Sequence, residues 1–462
     1  MKRLLIISTN FPPSVSIGTQ RIMRLYKYLD SSRWSISVLT LKEKYYPVAP
    51  NRANDAKPEF PENLKVYRTE KLDLVFFLLN LRESIRAKFS KKPRAKSFPS
   101  AADEEGSPLP PKAASGKSKK GWWQSFKDFF TDILQFPDKH ITWLPLAVWR
   151  GLRIIRRDKI DVIFSSSPSH SLHLISTILK VLTGKKLVID FRDPWARDPW
   201  RDEARGDSAY ENWKLRRVTQ MEKWVVSKAD EVILITREMR NDYVRNYPKL
   251  PAHKFNYFPN GYDPENVQSS AAFASNGSRP SKVVFIHAGT LYKFRDPTPI
   301  LYAVKNLLDA GAIERDKVVF QFIGGITSHL KHIPGLAAEL QVDDIVQFLP
   351  PVSYQKVMEM MAESHALILL QPITKLQLPG KFFDYLCLGK PIFAVAEKNS
   401  ATESMVKDGY GIFADFNDVK DVEKAILYLY QHPYYNIDFI RENRAAFDMS
   451  KSIENFMAIL DS

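Results

Sequence analysis

Residues 379–396, PGKFFDYLCLGKPIFAVA, decide the fold class. They predict a short helix that ends at Gly389 and an apolar strand that begins at Pro391. In an open α/β sheet, the start of such a helix lies at the crevice where ligands bind. Lys381 and Asp384 share one face of this helix, so the cation can meet a phosphate and the carboxylate can accept hydrogen bonds from a ribose. A solvated surface ion pair has the same spacing, and that alternative stays open here.

The composition indicates a folded chain with more than one domain. Its 462 residues exceed what one core holds, and 44% of them are apolar and 12% aromatic. A single cysteine, Cys387, excludes an internal disulfide framework and a thiolate-rich metal site. No window reaches about 18 uncharged apolar residues, so no transmembrane helix is predicted. We expect a reducing, cytoplasmic compartment.

The charge distribution points to polyanionic partners. The net charge is +15, and residues 82–120 hold 11 Lys/Arg against 4 Asp/Glu. This stretch, rich in Lys, Pro, Ser, Ala and Gly, predicts a basic, partly disordered insertion at about 85–120. An amphipathic helix with an aromatic stripe is predicted at about 121–136, and it either lies on an anionic membrane surface or packs on its own domain. Aromatic residues are not interleaved with the basic run, so no nucleic acid partner is expected.

Strands and helices alternate on both sides of a polar linker at 264–281, which predicts two doubly wound parallel sheets. The predicted domains are an N-terminal Rossmann-like domain, 1–264, and a C-terminal one, 282–430, whose loops face each other across a cleft. Helices at 431–462 are expected to pack back on the N-terminal domain. The predicted strands are 2–8, 34–40, 63–69, 161–166, 186–191 and 231–236, then 282–287, 317–323, 345–349, 366–371 and 391–396.

Two loops of the first domain follow predicted strands and carry candidate binding residues. In NFPPSVSIGTQR, 10–21, Gly18 permits close approach of a ligand to the backbone at a helix start. The segment lacks the G-x-G-x-x-G pattern, which disfavours a dinucleotide site. In DFRDPW, 190–195, Arg192 and Asp193 leave the strand together. They are either a buried ion pair that holds the loop or a polar pair that contacts a sugar.

A third loop, HAGTLYKFR at 287–295, opens the second domain. Gly289 lets backbone N–H groups approach a phosphate, and Lys293 or Arg295 can reach the same anion. Together with Lys381, either residue would give two cations near a helix N-terminus. That combination suits a diphosphate, which carries about two negative charges.

Other patterns carry less information. The FIGG turn at 322–325 places Gly324 after a strand, where it suits a base or a ribose. His170 and His173 lie three residues apart, but no nearby Asp, Glu or Cys cluster completes a metal site, so none is predicted. Neither a G-x-S-x-G nucleophile motif nor a P-loop is present.

Taken in order, several segments resemble the retaining GT-B glycosyltransferases of family 4, particularly those that build bacterial surface polysaccharides. The resemblance covers nearly the whole chain except 70–140. It rests on FPP…G at 11–18, DFRDPW at 190–195, ADEVILIT at 229–236, PNGYD at 259–263, HAGTLY at 287–292 and PGKFFDYLCLGKPI at 379–392.

The resemblance implies an α/β GT-B fold that needs no metal or separate cofactor. It also implies a nucleotide-sugar donor, a UDP- or GDP-sugar, held mainly by the C-terminal domain. Arg295 and Lys381 match the basic residues that contact the diphosphate, and Asp384 matches the carboxylate that binds the ribose. The implied nucleotide-binding residues are Gly18, Gly289, Thr290, Arg295, Gly324, Lys381 and Asp384; the implied catalytic residues are Arg192, Asp193, Arg295 and Lys381.

Two departures from the family concern the donor sugar. Arg192 or Asp193 falls near the position of the histidine that usually touches it. Leu376 stands eight residues before Asp384, where the family carries the first of two glutamates. These substitutions put the sugar contacts in question more than they do the activity.

The implied function is sugar transfer to a lipid-linked or growing glycan in surface polysaccharide biosynthesis, including lipopolysaccharide or exopolysaccharide. The protein is expected to be peripheral at the cytoplasmic face of the plasma membrane. One alternative is a nucleotide-sugar epimerase of the same fold. A catalytically degenerate partner in polysaccharide assembly is another, and Leu376 is its best support.

Overall fold

The computed structural model describes residues 1–14, 16–46, 64–72, 131–197, 208–265 and 281–462. The predicted insertion at 85–120 and residues 121–130 of the predicted amphipathic helix lie outside these ranges. The chain divides into two compact units. The first comprises Met1–Leu234, Tyr243–Asn256 and Met457–Ser462, and the second comprises Ile235–Asp242 and Tyr257–Phe456.

A seven-stranded sheet forms the centre of the first unit. Its strand order is β3-β2-β1-β4-β5-β6-β7, and the pairings from β3 through to β6 are parallel. Its strands are β1 Lys2–Ile7, β2 Trp34–Leu41, β3 Lys65–Thr69, β4 Val162–Ser166, β5 Lys186–Phe191, β6 Glu231–Leu234 and β7 Phe255–Tyr257. The helices that accompany them are α1 Ile17–Tyr28, α2 Leu144–Arg157, α3 Ser171–Thr183, α4 Ala209–Lys228 and α5 Arg237–Asn246.

The second unit contains a six-stranded, fully parallel sheet in the order β10-β9-β8-β11-β12-β13. The strands are β8 Val283–Ala288, β9 Val318–Ile323, β10 Val346–Leu349, β11 Ala366–Gln371, β12 Ile392–Ala396 and β13 Gly411–Asp415. The helices are α6 Thr298–Asp309, α7 Ile333–Glu339, α8 Tyr354–Glu363, α9 Gly380–Leu388, α10 Ala401–Met405, α11 Val419–Gln431, α12 Ile437–Asn443 and α13 Met449–Asp461.

The stretch at 379–396 folds as its sequence predicts. Helix α9 stops at Gly389, whose left-handed φ of 65° ends the helix without strain. Strand β12 then lies between β11 and β13 in the sheet, and all five of its side chains are buried. A strand buried on both faces needs a continuous apolar run, which the segment IFAVA supplies.

In the second sheet, the chain adds β9 and β10 on one side of β8, and then places β11, β12 and β13 on the other side. The order of the strands therefore reverses between β8 and β11, which are neighbours. In doubly wound sheets, ligands bind outside the carboxyl ends of the strands at such a switch point. The loop after β8 and helix α9 after β11 therefore meet at the position where a ligand is expected. β1 and β4 occupy the corresponding place in the first sheet.

The predicted α/β architecture is confirmed, with two parallel sheets and strand bounds that agree within a few residues. The sequence analysis did not predict helix α2, although its buried Ala147, Gly151, Ile154 and Ile155 have helical spacing. None of the helices in the described ranges combines the length and the apolar composition needed to span a bilayer.

Candidate functional site

Helix α9 is attached to the central strands of the second sheet by Tyr385. The tyrosine hydroxyl donates a hydrogen bond to the carbonyl of Ile368 on β11, at 3.2 Å. It also accepts a long hydrogen bond of 3.5 Å from the backbone N–H of Ala288, the last residue of β8. These contacts hold the beginning of α9 beside the loop that follows β8.

Gly289, Arg295 and Lys381 come together at this point. A Cβ atom placed on Gly289 would lie 1.8 Å from Nζ of Lys381 and 3.8 Å from a terminal nitrogen of Arg295. The glycine also has a φ of +135°, which L side chains rarely adopt. Gly289 therefore lets the lysine ammonium lie directly against the backbone, and a larger residue would displace it.

A second glycine, Gly324, packs against the first. A Cβ atom on Gly324 would lie 2.6 Å from the carbonyl carbon and oxygen of Gly289 and 3.1 Å from the backbone nitrogen of Thr290. Its φ is +146°. The backbone at Gly324 thus packs directly on the backbone at Gly289, which in turn contacts Lys381. Thr290, the residue after Gly289, is exposed.

The ammonium of Lys381 has an unusual environment. Lys381 is partly exposed as a residue, but its Nζ atom is buried and makes no hydrogen bond to any residue that the structure describes. Burial lowers the pKa of Lys381 well below its usual range, Arg295 lowers it further, and Asp384 acts in the opposite direction. No side chain of the described ranges caps α9 at Pro379, so the helix N-terminus adds positive potential at the same place.

The remaining predicted residues of this unit lie on α9 and on the loops before it and after β8. Asp384 follows it by one turn of α9 and is partly exposed. Lys293 is exposed, and its ammonium lies 5.2 Å from the ring centre of Phe294. Between Lys293 and Arg295, the residue that the structure places beside Lys381 is Arg295. Leu376 lies in the loop before α9, where its carbonyl accepts a hydrogen bond of 2.6 Å from the Thr236 hydroxyl.

In the first unit, Gly18 and Arg192 are in contact. A Cβ atom on Gly18, in the first turn of α1, would lie 2.5 Å from a terminal nitrogen of Arg192 and 2.6 Å from the side-chain amide nitrogen of Asn10. Arg192 is only 8% exposed, and its backbone N–H donates to the Ser167 hydroxyl at 2.9 Å. Burial lowers the pKa of Arg192, and the charge of Asp193 opposes this shift.

The buried ion pair of this loop joins residues that the sequence analysis did not single out. Arg21 donates two hydrogen bonds of 2.8 Å to the carboxylate of Asp190, and both residues are at most 1% exposed. The hydroxyl of Ser166 donates to the same carboxylate at 2.7 Å. This pair fixes helix α1 to the end of β5, directly before Arg192.

The two histidines at 170 and 173 have separate roles in packing. His170 stacks on Trp195 with ring centres 4.9 Å apart. His173 is buried beside the hydroxyl of Ser165, with Nδ1 and Oγ 2.9 Å apart, and burial lowers its pKa to about 3. Within the described ranges, no three metal-ligating side chains come together.

Three residues of these clusters were not predicted, namely Arg21, Asp190 and His287. Asp190 and His287 left a signal in the sequence, because each is a charged or titratable residue within an apolar strand, whereas Arg21 lies in helix α1. Such a residue is tolerated in a core only with a partner or a function. The identity of the partner depends on the tertiary fold, since Arg21 and Asp190 lie 169 positions apart.

Comparison with known families matches two models to consecutive parts of the chain. The Glycosyltransferase Family 4 model matches residues 125–266, and the Glycosyl transferases group 1 model matches residues 268–446. Among curated proteins, the D-inositol 3-phosphate glycosyltransferase of Streptomyces griseus is 28% identical over 212 residues, which are 42% of this chain and 44% of that protein. The chain thus spans less than half the length of this relative.

Solved structures with similar folds align over the whole chain. Sucrose-phosphate synthase from Thermosynechococcus elongatus has a TM-score of 0.64 at 13% identity, covering 100% of this chain and 98% of that one. The Anabaena protein HepE, solved in complex with UDP, has a TM-score of 0.59 at 11% identity, covering 100% of both chains. At these identities the likeness concerns the fold. The family rests on the two models, which together match most of the chain: it belongs to the glycosyltransferases, with a Glycosyltransferase Family 4 domain followed by a Glycosyl transferases group 1 domain.

Proposed function

We propose that the chain transfers a sugar from a nucleotide-sugar donor to a glycan acceptor, and that the donor diphosphate binds beside Lys381. The observation that carries this proposal is the buried Lys381 ammonium, which has no hydrogen-bond partner among the described residues. Holding this amine in its charged form without a partner is costly, unless a ligand of opposite charge completes the site. Arg295 and the uncapped start of α9 add positive charge there, as a diphosphate requires.

The neighbouring residues suit the rest of a nucleotide. Gly289 and Gly324 leave the backbone accessible, and Thr290 and its N–H group lie beside them. Asp384 is the ribose ligand in this proposal, because its carboxylate lies one turn from Lys381 and can accept hydrogen bonds from two hydroxyls. HepE was solved with UDP and with UDP-glucose, which favours a UDP-sugar, and a GDP-sugar is the other donor to test.

The chemistry follows from the charges at this site. Lys381 and Arg295 stabilise the negative charge that develops on the departing diphosphate, a role that needs no metal ion. Arg192 and Asp193 are proposed to contact the donor sugar. Leu376 offers no carboxylate, so we infer that retention of configuration proceeds by front-face attack of the acceptor hydroxyl, assisted by the leaving phosphate.

The acceptor is proposed to be a lipid-linked or growing glycan of a surface polysaccharide, at the inner face of the plasma membrane. The basic segment at 82–120 and the predicted helix at 121–136 motivate the membrane contact. At the described end of that helix, Ile133 of the apolar stripe is 38% exposed. Asp132 accepts hydrogen bonds from Tyr210 and Lys214 of α4 at 2.9 and 3.0 Å, and the ring of Phe136 lies 5.5 Å from that of Trp213 on the same helix, so this end of the segment contacts the protein through both polar and apolar side chains.

Two measurements test this function. A thermal-shift screen with UDP- and GDP-sugars should show stabilisation by at least one donor, and no shift with any nucleotide would favour a degenerate assembly partner instead. The active donor is then incubated with and without a lipid-linked acceptor. Release of nucleotide that depends on the acceptor supports transfer, whereas an epimer formed from the donor alone would identify an epimerase.

The membrane contact is tested separately. Deletion of 85–135 should abolish co-sedimentation with anionic vesicles while leaving nucleotide binding unchanged, because the nucleotide site lies in the second unit. Undiminished vesicle binding by the deleted protein would contradict the membrane assignment. Vesicles without anionic lipid are the matched control.

A further inference from the structure

Two buried nitrogen atoms lie at the proposed donor site without a hydrogen bond to the described residues. One is Nζ of Lys381 on α9, and the other is Nε2 of His287 on β8. His287 is 1% exposed and immediately precedes the glycine loop of the site. The proposed donor contacts already use Lys381, but they give His287 no role.

The hydrogen bonding of His287 determines what its second nitrogen can do. Nδ1 lies 3.0 Å from the carbonyl oxygen of Ile368, and a carbonyl can only accept, so Nδ1 carries the hydrogen. Burial holds the pKa of His287 well below its usual range, and Lys381 and Arg295 lower it further. The ring is therefore neutral, and Nε2 presents a lone pair, which can accept a hydrogen bond or a proton.

The charges that face Lys381 come from three elements. Arg295, from the loop after β8, and Asp384, on α9 itself, act on Lys381, and the charges of Lys381 and Arg295 act on His287 of β8; Tyr385 follows Asp384 on α9. Tyr385 is uncharged, because burial raises the pKa of its hydroxyl far above neutrality. Two titratable nitrogen bases, Lys381 and His287, and the permanently charged guanidinium of Arg295 thus share this site with a single carboxylate. Such a cluster holds fewer protons than its members would in water, until an anion enters.

A bound diphosphate reverses this balance. It brings about two negative charges to within contact of Lys381 and Arg295. An opposite charge at that distance favours the protonated form of a neighbouring base. Because His287 and Lys381 interact, the added proton belongs to the pair and not to one residue alone.

We propose that the donor diphosphate binds together with one proton, which the His287–Lys381 pair takes up from solution. The inference rests on the proposed function, since it requires that a diphosphate binds here. The inference predicts how the Kd for the donor changes with pH. At pH values where the free pair is already protonated, donor affinity does not change with pH. Above that range, the Kd rises about tenfold per pH unit, because each binding event consumes one proton.

Calorimetric titration with UDP tests the inference. At about pH 8.5 the terminal phosphate of UDP is fully ionised, since phosphate esters have a second pKa near 6, and the nucleotide itself exchanges no proton. The titration is run in Tris and in a buffer with a small ionisation enthalpy. The observed binding enthalpies should differ by the equivalent of about one proton taken up.

Two variants separate the pair from the rest of the site. Lys381→Arg carries a guanidinium that stays charged, so it should bind UDP with less proton uptake than the wild type, and His287 accounts for any uptake that remains. His287→Asn keeps an N–H group for the Ile368 carbonyl and removes the Nε2 lone pair. It should shift the pH at which the Kd for UDP begins to rise.

The outcomes are distinguishable. Saturable binding of UDP with equal enthalpies in the two buffers would overturn the inference and leave the proposed function intact. Absence of UDP binding to the folded wild-type protein would overturn both. An unchanged pH profile in a folded His287→Asn variant would remove His287 from the proton-accepting pair.

Discussion

One cluster of buried charge in the first unit and one in the second differ in how their charges are balanced. In the first unit, Arg21 and Asp190 neutralise each other through two hydrogen bonds, and Ser166 satisfies the same carboxylate. In the second unit, the Lys381 ammonium is buried beside a further cation, Arg295, and has no hydrogen bond to the described residues. The comparison teaches that a buried cation with a partner is neutralised within the fold, which then depends on both partners, whereas one without a partner is a candidate ligand site.

The largest expected effect comes from breaking the balanced pair. Asp190→Asn leaves the Arg21 guanidinium buried without its counter-charge. The free energy of unfolding of the first unit should fall by about 3–5 kcal/mol, as measured by denaturant titration. The Kd for UDP should stay unchanged, since the substitution lies outside the second unit.

The matched control is an Arg–Asp pair of the same chemistry at the surface. Arg315 and Asp344 lie 2.6 Å apart with about half of each side chain exposed, so Asp344→Asn should alter stability by less than about 1 kcal/mol. Equal losses in the two variants would mean that burial does not distinguish the pairs.

A second substitution tests whether the buried carboxylate of Glu222 holds the loop that follows β5 in the first unit. Glu222 is fully buried and accepts hydrogen bonds from the Tyr247 hydroxyl at 2.6 Å and from the backbone N–H of Ala196 at 2.8 Å. Glu222→Gln removes the charge and should cost about 1.5–3 kcal/mol of unfolding free energy. Sugar transfer should slow because the loop carries Arg192, and UDP affinity should not change. A loss of UDP affinity equal to the loss of transfer would contradict this separation.

The smallest expected effect concerns the ribose contact. Asp384→Ala should weaken UDP binding by about 1–3 kcal/mol, because it removes a charged acceptor for the ribose hydroxyls. Calorimetry on the folded variant measures the change. An affinity equal to that of the wild type would refute the role of Asp384. UMP keeps the ribose and lacks the second phosphate. Its affinity should therefore fall by a similar factor between the wild type and Asp384→Ala.

Much of the fold could be predicted from local sequence. The apolar run of β12 and the terminating Gly389 specify a helix followed by a buried strand without any tertiary information. Helix α2 was harder to predict because its exposed face carries Trp149 beside several arginines. The apolar spacing on its buried face is nevertheless clear in retrospect.

The sites were less predictable, for a physical reason. Lys381 and Asp384 were found because one helix carries both, at a spacing that is visible in the sequence. The pairing of Arg21 with Asp190, and the position of His287 beside Lys381, depend on which strands become neighbours in the sheets. The sequence suggested Arg192 and Asp193 as a pair, and the fold adds beside them a second, fully buried pair of Arg21 and Asp190.

The central claim is that Lys381 belongs to a diphosphate site within the second unit. The most direct test is the Kd for UDP of the wild type and of Lys381→Met, with Lys356→Met on the exposed face of α8 as the control. The expected result is saturable binding by the wild type and the control, and at least about tenfold weaker binding by Lys381→Met, through loss of a charged hydrogen bond. Equal affinity of all three folded proteins would contradict the claim.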